Sequence, residues 1–593
     1  MNIHSVHSVL VAGNALAAQS SGQLQTNLSQ ALSDVLKALN RQCTKSNKQL
    51  RLLTGTESQL EQEVANLASE LKVPLHLISA GMPKPLNVSQ SYAERQVWLG
   101  ADNADHTKLS ANSDNKESQK IRNQIALGFS NSLLIVWNGS SQEEGAIDLL
   151  LNAALAMKFV LWVDQKGEVR TLDRSKLTPA VLHLLDCPHP SLERLKQCFS
   201  SALTHHQLAE KLNHSDSLTA EALAQKAQAH KATDLNAGKV HKVMMALVQA
   251  NFRKLYKALK AGPLSAYRGP AWEGAKELVQ PTPHLDQPFD NADVAASIAA
   301  GKHRSSAWIS SMASTGAVFA AVAGAIHLWV NPHAAFWAVL ELVLVALIVT
   351  LLWRSQKKQW HSAWISSRFV AEQLRYARMG LPLMVVGKTF SEPAFAVFPN
   401  SKAEQELCLV SEDLYKIQLA LASSGLPATP NGQPYVAASS QMLVQIQQYV
   451  LSVVKDQMTY HQRVHHEHHS VEHVLHRFSL VLFTLTALAI GAHFWLHAEW
   501  LLIFTAFFPA LAAGIHGLST SLEIARLSEQ SEATADQLQD LHLAIESVLR
   551  GEATLWQKWI HLRHLTLLAS EVMSDENSQW QKLVTHQKPK LPA

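Results

Sequence analysis

Cysteine is scarce, with four in 593 residues. Cys43, Cys187, Cys198 and Cys408 form no CxxC pair. That argues against a disulfide framework or a cysteine-based zinc site and suits a reducing cytoplasm. Lysine and arginine are absent from residues 1–12. The run HSVLVAGNALAAQ therefore lacks the charged start of a signal peptide, and Asn14 interrupts its short apolar stretch. A buried β-strand is the better reading. There is no concentrated basic patch, and 51 Lys and Arg against 48 Asp and Glu leave a net charge of +3. This balance carries no nucleic-acid footprint.

Charge is also missing from four long stretches. Ser310–Val330 and Ala334–Trp353 are apolar and separated only by Asn331, Pro332 and His333. Phe478–Leu496 and Trp500–Ile515 flank His497, Ala498 and Glu499. Each run is near the ~20 residues that cross ~30 Å of hydrocarbon at ~1.5 Å per residue. They read as four spans in two hairpins. A buried core in a large soluble protein is the weaker reading, because such runs are rare there. The mean hydropathy of −0.02 averages these spans with polar segments. Neither hairpin tip carries Lys or Arg, whereas Lys302, Arg304, Arg354, Lys357, Lys358, Arg477 and Arg526 mark the opposite ends. The positive-inside rule then places both termini in the cytoplasm of a multi-pass inner-membrane protein.

Residues 1–200 alternate strand and helix signals. Strands are expected at Val6–Ala12, Leu50–Leu53, Leu75–Ser79, Leu133–Trp137 and Phe159–Val163. Helices are expected at Leu24–Leu39, Leu60–Leu71, Ile121–Gly128 and Ala146–Met157. Continuous apolar strands imply a parallel, Rossmann-like α/β sheet covered on both faces. Several strands end in Gly or in a polar residue followed by Gly. Gly13, Asn14, Thr54, Gly55, Asn138, Gly139, Gly145 and Asp148 are the candidate lining of a crevice at the strands' carboxyl ends. There, backbone N–H groups and a helix N-terminus favour phosphate. Plain βα turns are the competing reading.

VLVAGNAL, LRLLTG and SNSLLIVWNGSSQEEGAIDLLLNAALAMKFVLWVD resemble the SLOG superfamily of Rossmann-like domains. That resemblance implies sensing of a nucleotide or NAD-derived ligand, such as a nucleotide second messenger, and in some members nucleotide hydrolysis. Gly13-Asn14 stands where the family has Gly-His, Asn138-Gly139 replaces Asp-Gly, and Glu144-Gly145-Ala146 replaces Gly-Gly-Thr. These departures argue against hydrolysis. Asp293, Arg304, Arg368, Glu372, Leu374 and Arg375, around the first hairpin, resemble the SLATT group of two-transmembrane proteins. This second resemblance implies a pore-forming or membrane-disrupting effector in bacterial defence.

The expected organisation is a ligand-sensing domain over 1–200, then a helical connector and Pro-rich strap over 201–290. A first two-span unit over 291–380, a connecting region over 381–440 and a second two-span unit over 441–593 follow. The connector is read from His205–Gly262, with a break at Asn213–Leu218, and Pro263–Asp290 is read as extended. Helix, hairpin, helix occurs twice, as in a diverged internal repeat. Arg368, Glu372 and Arg375 read as ordinary surface ion pairs along a helix.

Within the spans, Gly316, Ala320 and Gly324 form a small-residue stripe, suited either to packing inside the hairpin or to homo-oligomer assembly. Glu341 is the acidic residue well inside a span. At ~2.5–3.5 kcal/mol for insertion it should face protein or water, as a pore-lining or gating group or as a protonated or interfacial one. Pro509 is expected to kink the fourth span. His461, His465, His469 and His473 fall on one helix face. They read as a solvated juxtamembrane helix or, alternatively, as a metal or pH sensor. The function that collects these signs is a ligand-gated membrane effector. A membrane-tethered nucleotide hydrolase and a non-gating scaffold are the alternatives.

Overall fold

A computed structural model of the chain describes residues 5–13, 22–56, 58–80, 93–101, 113–139, 144–155, 158–173, 196–204, 207, 238–249, 251–260, 274–330, 335–385, 417–498 and 500–584. Asn14, Gly81, Asn213–Leu218, Asn331–His333 and Glu499 lie outside these residues, as do Pro263 and Pro270 of the expected strap.

The expected sheet is present and longer than its sequence signals. Strands β1 (Ser5–Gly13), β2 (Lys48–Thr54), β3 (Leu75–Ser79), β4 (Arg95–Ala101), β5 (Ser132–Val136), β6 (Phe159–Val163), β7 (Val169–Thr171) and β8 (Tyr435–Ala438) form one sheet. Their order is β7-β6-β5-β1-β2-β3-β4-β8. Every pairing is parallel except β6 with β7. Helices α1 (Gly22–Lys45) and α2 (Gln59–Glu70) cover one face. The start of α2 is set by a reciprocal capping box between Ser58 and Glu61. On the other face, α3 (Ser113–Gly128) and α4 (Glu144–Leu155) share one continuous core with helices from the C-terminal half. The α/β part is therefore packed into the rest of the protein.

Strand β8 comes from the stretch read as a connecting region. It pairs with β4, and Ser439 then caps the next helix by accepting from Met442 N–H at 3.2 Å. Four residues, YVAA, are too few to announce a strand. They form one because β4 offers an unpaired edge.

The C-terminal half is helical: α5 (Lys239–Val248), α6 (Phe252–Lys260), α7 (Pro283–Val330), α8 (Ala335–Lys358), α9 (Trp360–Gly380), α10 (Ser440–Leu496), α11 (Leu501–Ser521), α12 (Ile524–Ser547) and α13 (Leu555–Val584). Four of these helical stretches, beginning at Pro283, Ala335, Ser440 and Leu501, are long and apolar enough to cross a membrane. No side chain of α8 is buried. Leu342 is 68 % exposed, Leu488 64 % and Trp495 90 %, so these helices present an apolar surface outward.

The extended strap ends earlier than Asp290, because α7 begins at Pro283. Proline is tolerated at a helix start, and the Thr282 carbonyl accepts from Leu285 and Asp286 N–H. Pro288 lies in the second turn and removes one helical hydrogen bond. Arg378, 3.2 Å from Asp286, anchors that turn.

One order of elements occurs twice in the helical half. A long helix, an apolar helix and a polar helix follow one another as α7-α8-α9 and again as α10-α11-α12. In each unit the residue just before the third helix is a non-glycine in the left-handed region, Gln359 at φ 46° and Glu523 at φ 51°.

Small residues bring α7 close to its neighbours. A Cβ on Gly324 would lie 2.9 Å from Trp337 Cβ, and one on Gly316 3.2 Å from Leu344. Ala320 is fully buried. The stripe is thus used inside the chain, against α8. On α7's other side, Ser311 donates to the Gly514 carbonyl at 2.9 Å and Phe319 meets Phe507 edge-on. Pro509 lies inside the unbroken helix α11.

Candidate functional site

The chain order across the sheet reverses between β1 and β5, where Gly13 pairs with Val136. In open α/β sheets the ligand crevice forms at the carboxyl ends of the strands at such a point. Gly13, Asn138 and Gly139 stand at that end of β1 and β5, and Gly145 lies in the first turn of the helix that follows. Gly13 lets β1 and β5 lie close, since a Cβ there would sit 2.3 Å from the Val136 carbonyl oxygen. Gly139 has φ +80°, which lets the chain turn out of β5. Asn138 is exposed. An added Cβ on Gly145, in the first turn of α4, would meet nothing within 4 Å among the described residues. Asp148 lies 3.7 Å from Lys120, with both side chains about half exposed.

The neighbouring positions behave differently. Thr54 is fully buried and donates its hydroxyl to the Val11 carbonyl at 3.1 Å. Gly55 is covered by the ion pair Glu61–Arg122 at 3.2 Å, and a Cβ there would sit 2.2 Å from Glu61 Oε1. Thr54 and Gly55 therefore support the β1–β2 end and are not open to a ligand. The ion pair replaces the phosphate contact that the glycine suggested. Sequence reasoning also omitted Trp162. Its indole donates to the Trp137 carbonyl at 2.8 Å, stands 3.8 Å from a Cβ on Gly139, and carries Arg170 over its ring at 5.1 Å. A strand tryptophan reads as core, and Trp162 is buried there beside the turn at Gly139.

A polar cluster lies on the sheet face opposite α1 and α2. Helical residues 417–424 dock there by their carboxyl end. Arg51 donates to the Ser423 carbonyl at 3.0 Å, and Arg95 to the Ser424 and Leu426 carbonyls at 3.0 and 2.6 Å. The helix-end carbonyls thus receive two cations, the sign that the dipole favours. His76 Nδ1 accepts from Leu426 N–H at 3.3 Å, so its proton sits on Nε2, facing Glu94 at 3.5 Å.

Burial pushes the His76 imidazole down to about 3, and the hydrogen bond with His76 holds the Glu94 carboxyl at about 2. An unfolded or undocked His76 takes a proton near its ordinary 6.5, so that state binds more protons below that pH. Docking stability should therefore fall as pH drops from 6.5 towards 3, while the Glu94 contribution is lost only below about 4.5. We expect undocking to become easier by up to ~2 kcal/mol between pH 7 and pH 5. Hydrogen exchange at the Leu426 amide checks this, and protection constant across that range would refute it.

Of the charged residues of α9, Glu372, Arg375 and Arg378 are largely interior, and Arg368 is about one-third exposed. Glu372 is 2 % exposed and lies 2.6 Å from Arg368 and 3.5 Å from Arg375, and Arg375 lies 3.9 Å from Asp293 on α7. The surface reading of these pairs is wrong because α9 is packed between α7 and α13. Tyr376 donates to the Met573 carbonyl at 3.0 Å. Burial raises the Glu372 carboxyl, but Arg368 and Arg375 outweigh it and hold it below the ordinary range.

Glu341 and the histidines resolve in part. The contacts of Gly324 with Trp337 and of Gly316 with Leu344 put Glu341 level with Ala320, on the α8 face that packs against α7. His461 is buried, whereas His469 and His473 are exposed. The His465 and His469 rings stack at 5.5 Å, and His465 Nδ1 lies 3.0 Å from the Ser528 carbonyl oxygen. Among the described residues, no group of three or more His, Cys, Asp or Glu side chains is placed to hold a metal ion.

Comparisons with protein-family models, with curated proteins and with solved structures found no match.

Proposed function

We propose that the chain is a multi-pass membrane protein in which a nucleotide-like ligand at the Gly13–Gly139 crevice controls the arrangement of the membrane helices. The observation that carries this reading is the continuity of β8 with α10. Because β8 is parallel to β4, α10 leaves the same edge of the sheet at which the crevice opens. It then runs as one helix to Leu496, through its own apolar section. A ligand that shifts the strand ends would act directly on a span, and the 201–262 connector is not needed for transmission.

The basic residues Lys302, Arg304, Lys357, Lys358, Arg477 and Arg526 support an arrangement in two hairpins, with both termini and the sheet on the cytoplasmic side of an inner membrane. Pore formation by a homo-oligomer is the effector mode in keeping with the sequence resemblances. The exposed apolar faces of α8 and α10 are available to lipid or to a second copy.

The test is dye release from liposomes carrying the full-length protein, with and without a panel of nucleotides and NAD-derived molecules. Leak that depends on one ligand is the expected result. Gly139→Glu, which puts a carboxylate and a left-handed strain where phosphate would sit, should abolish the response without unfolding the protein. A full response from that variant would rule out the site, and no leak with any ligand would rule out gating.

A further inference from the structure

A second cavity, of about 320 Å³, lies between the two repeats, among α5, α7, α9, α10 and α12. It is far from the Gly13–Gly139 crevice in sequence and in element content. Arg304, Arg368 and Lys242 line it, with the Tyr460 and Ser531 hydroxyls, and no Asp or Glu does. His241 also lines it. Its Nδ1 accepts from Trp308 Nε1–H at 3.1 Å, which leaves the proton on Nε2. Burial, with Arg304 the next largest cause, pushes His241 down to about 3, so it is neutral at pH 7.

Two groups in this cavity are unsatisfied. Arg51, Arg95 and Arg375 each have carbonyl or carboxylate acceptors. Arg304 has no carboxylate within ion-pair distance among the described residues, and its guanidinium lies over the Trp364 ring at 4.8 Å. Ser531 is 1 % exposed and its hydroxyl has no hydrogen-bond partner among the described residues. An enclosed cation and an orphaned hydroxyl are both costly unless an acceptor fills the space between them. Arg368 is different, being partly neutralised by Glu372.

The position gives the cavity a mechanical meaning. The sequence offset between Gln359 and Glu523 also separates Ala296 from Tyr460, Ala300 from Val464, and Arg304 from His468. Each of these pairs contributes both members to the lining. The cavity thus sits where equivalent faces of the two units meet. An occupant would hold α7 and α9 to α10 and α12.

We propose that this cavity binds a phosphate-bearing anion, with Arg304 as its principal counter-charge and Ser531 as a donor. The donor set selects oxyanions carrying several acceptor oxygens. The phosphate could belong to a soluble phosphorylated compound or to a lipid headgroup, since Arg304 lies roughly 9 Å along α7 from Ser310, where the apolar section begins.

The experiment uses the full-length protein in phosphate-free detergent. One arm titrates inorganic pyrophosphate by calorimetry, and the other measures retention of phosphatidylglycerol by native mass spectrometry. Saturable binding of pyrophosphate alone would identify a soluble anion, and retention of the lipid alone a headgroup. Either result supports the site if Arg304→Gln weakens that binding about tenfold or more and Ser531→Ala weakens it several-fold. Removing an uncompensated cation should leave Arg304→Gln melting no lower than wild type without probe, which separates lost binding from lost fold. Should that variant fail to fold, Ser531→Ala decides, and unchanged affinity overturns the proposal. Absence of binding in both arms, or equal binding by Arg304→Gln, also overturns it.

Discussion

Glu372→Ala is expected to destabilise the protein by about 3–5 kcal/mol, because it leaves Arg368 and Arg375 facing each other without their shared carboxylate. Most of this loss is the penalty of uncompensated buried charge, and little of it is the net worth of the pairs. Asp293 remains 3.9 Å from Arg375 and does not replace the carboxylate that Glu372 places between the two arginines. A double variant replacing Glu372 and Arg375 with methionine should recover part of the loss, since two apolar chains can fill the space between α7 and α9. Unfolding of the purified protein in a graded denaturant and detergent series measures both. If Glu372→Ala cost no more than ~1 kcal/mol, the cluster would be behaving as an exposed pair and its interior placement would be wrong.

The second large effect is expected at Gly425, which ends the docked helical residues 417–424. Its φ is +69°, and its N–H bonds to the Leu421 carbonyl at 3.2 Å. A Cβ there would sit 2.4 Å from His76 Cε1 and 2.8 Å from Arg51 Nη1. Gly425→Ala should therefore cost ~1–2 kcal/mol for the left-handed backbone and a further ~1–3 kcal/mol for the clash. Gly432 is the internal control. Its φ is +71° and a Cβ there would meet nothing within 4 Å among the described residues, so Gly432→Ala should show the backbone cost alone. Hydrogen exchange in β8 and at Leu426 reads the difference. Equal effects at the two glycines would show that close approach to His76 is not what demands glycine. In the gating reading, Gly425→Ala should also uncouple ligand from leak, because it loosens the segment that leads into β8 and α10.

These two sites mark the boundary of what can be read from the linear chain. The four apolar stretches are legible because crossing length and absence of charge are local properties of a single run. The βα alternation and the glycine turns at Gly13 and Gly139 are legible because a strand's apolar run and the turn that ends it lie within about ten residues. Glu61 and Arg122 were not legible as a pair, being on different helices, so Gly55 looked open when it is covered. Glu372 looked like a surface residue because its neighbours at three and four positions are charged. That pattern is the same whether the helix faces water or a matching set of arginines and an aspartate.

The sequence by itself determined the composition of the long apolar helices and the parallel character of the sheet, whereas its switch point between β1 and β5 came only from the strand order. Hydrogen bonding and burial in those helices and strands follow from short-range pattern. The tertiary structure alone decided that Tyr435–Ala438 is a strand, that Arg304 and Ser531 face one cavity, and that the small-residue stripe is spent on α8. Each depends on which distant segment arrives at an open edge or face, and four residues of YVAA or one arginine carry no signal of that partner.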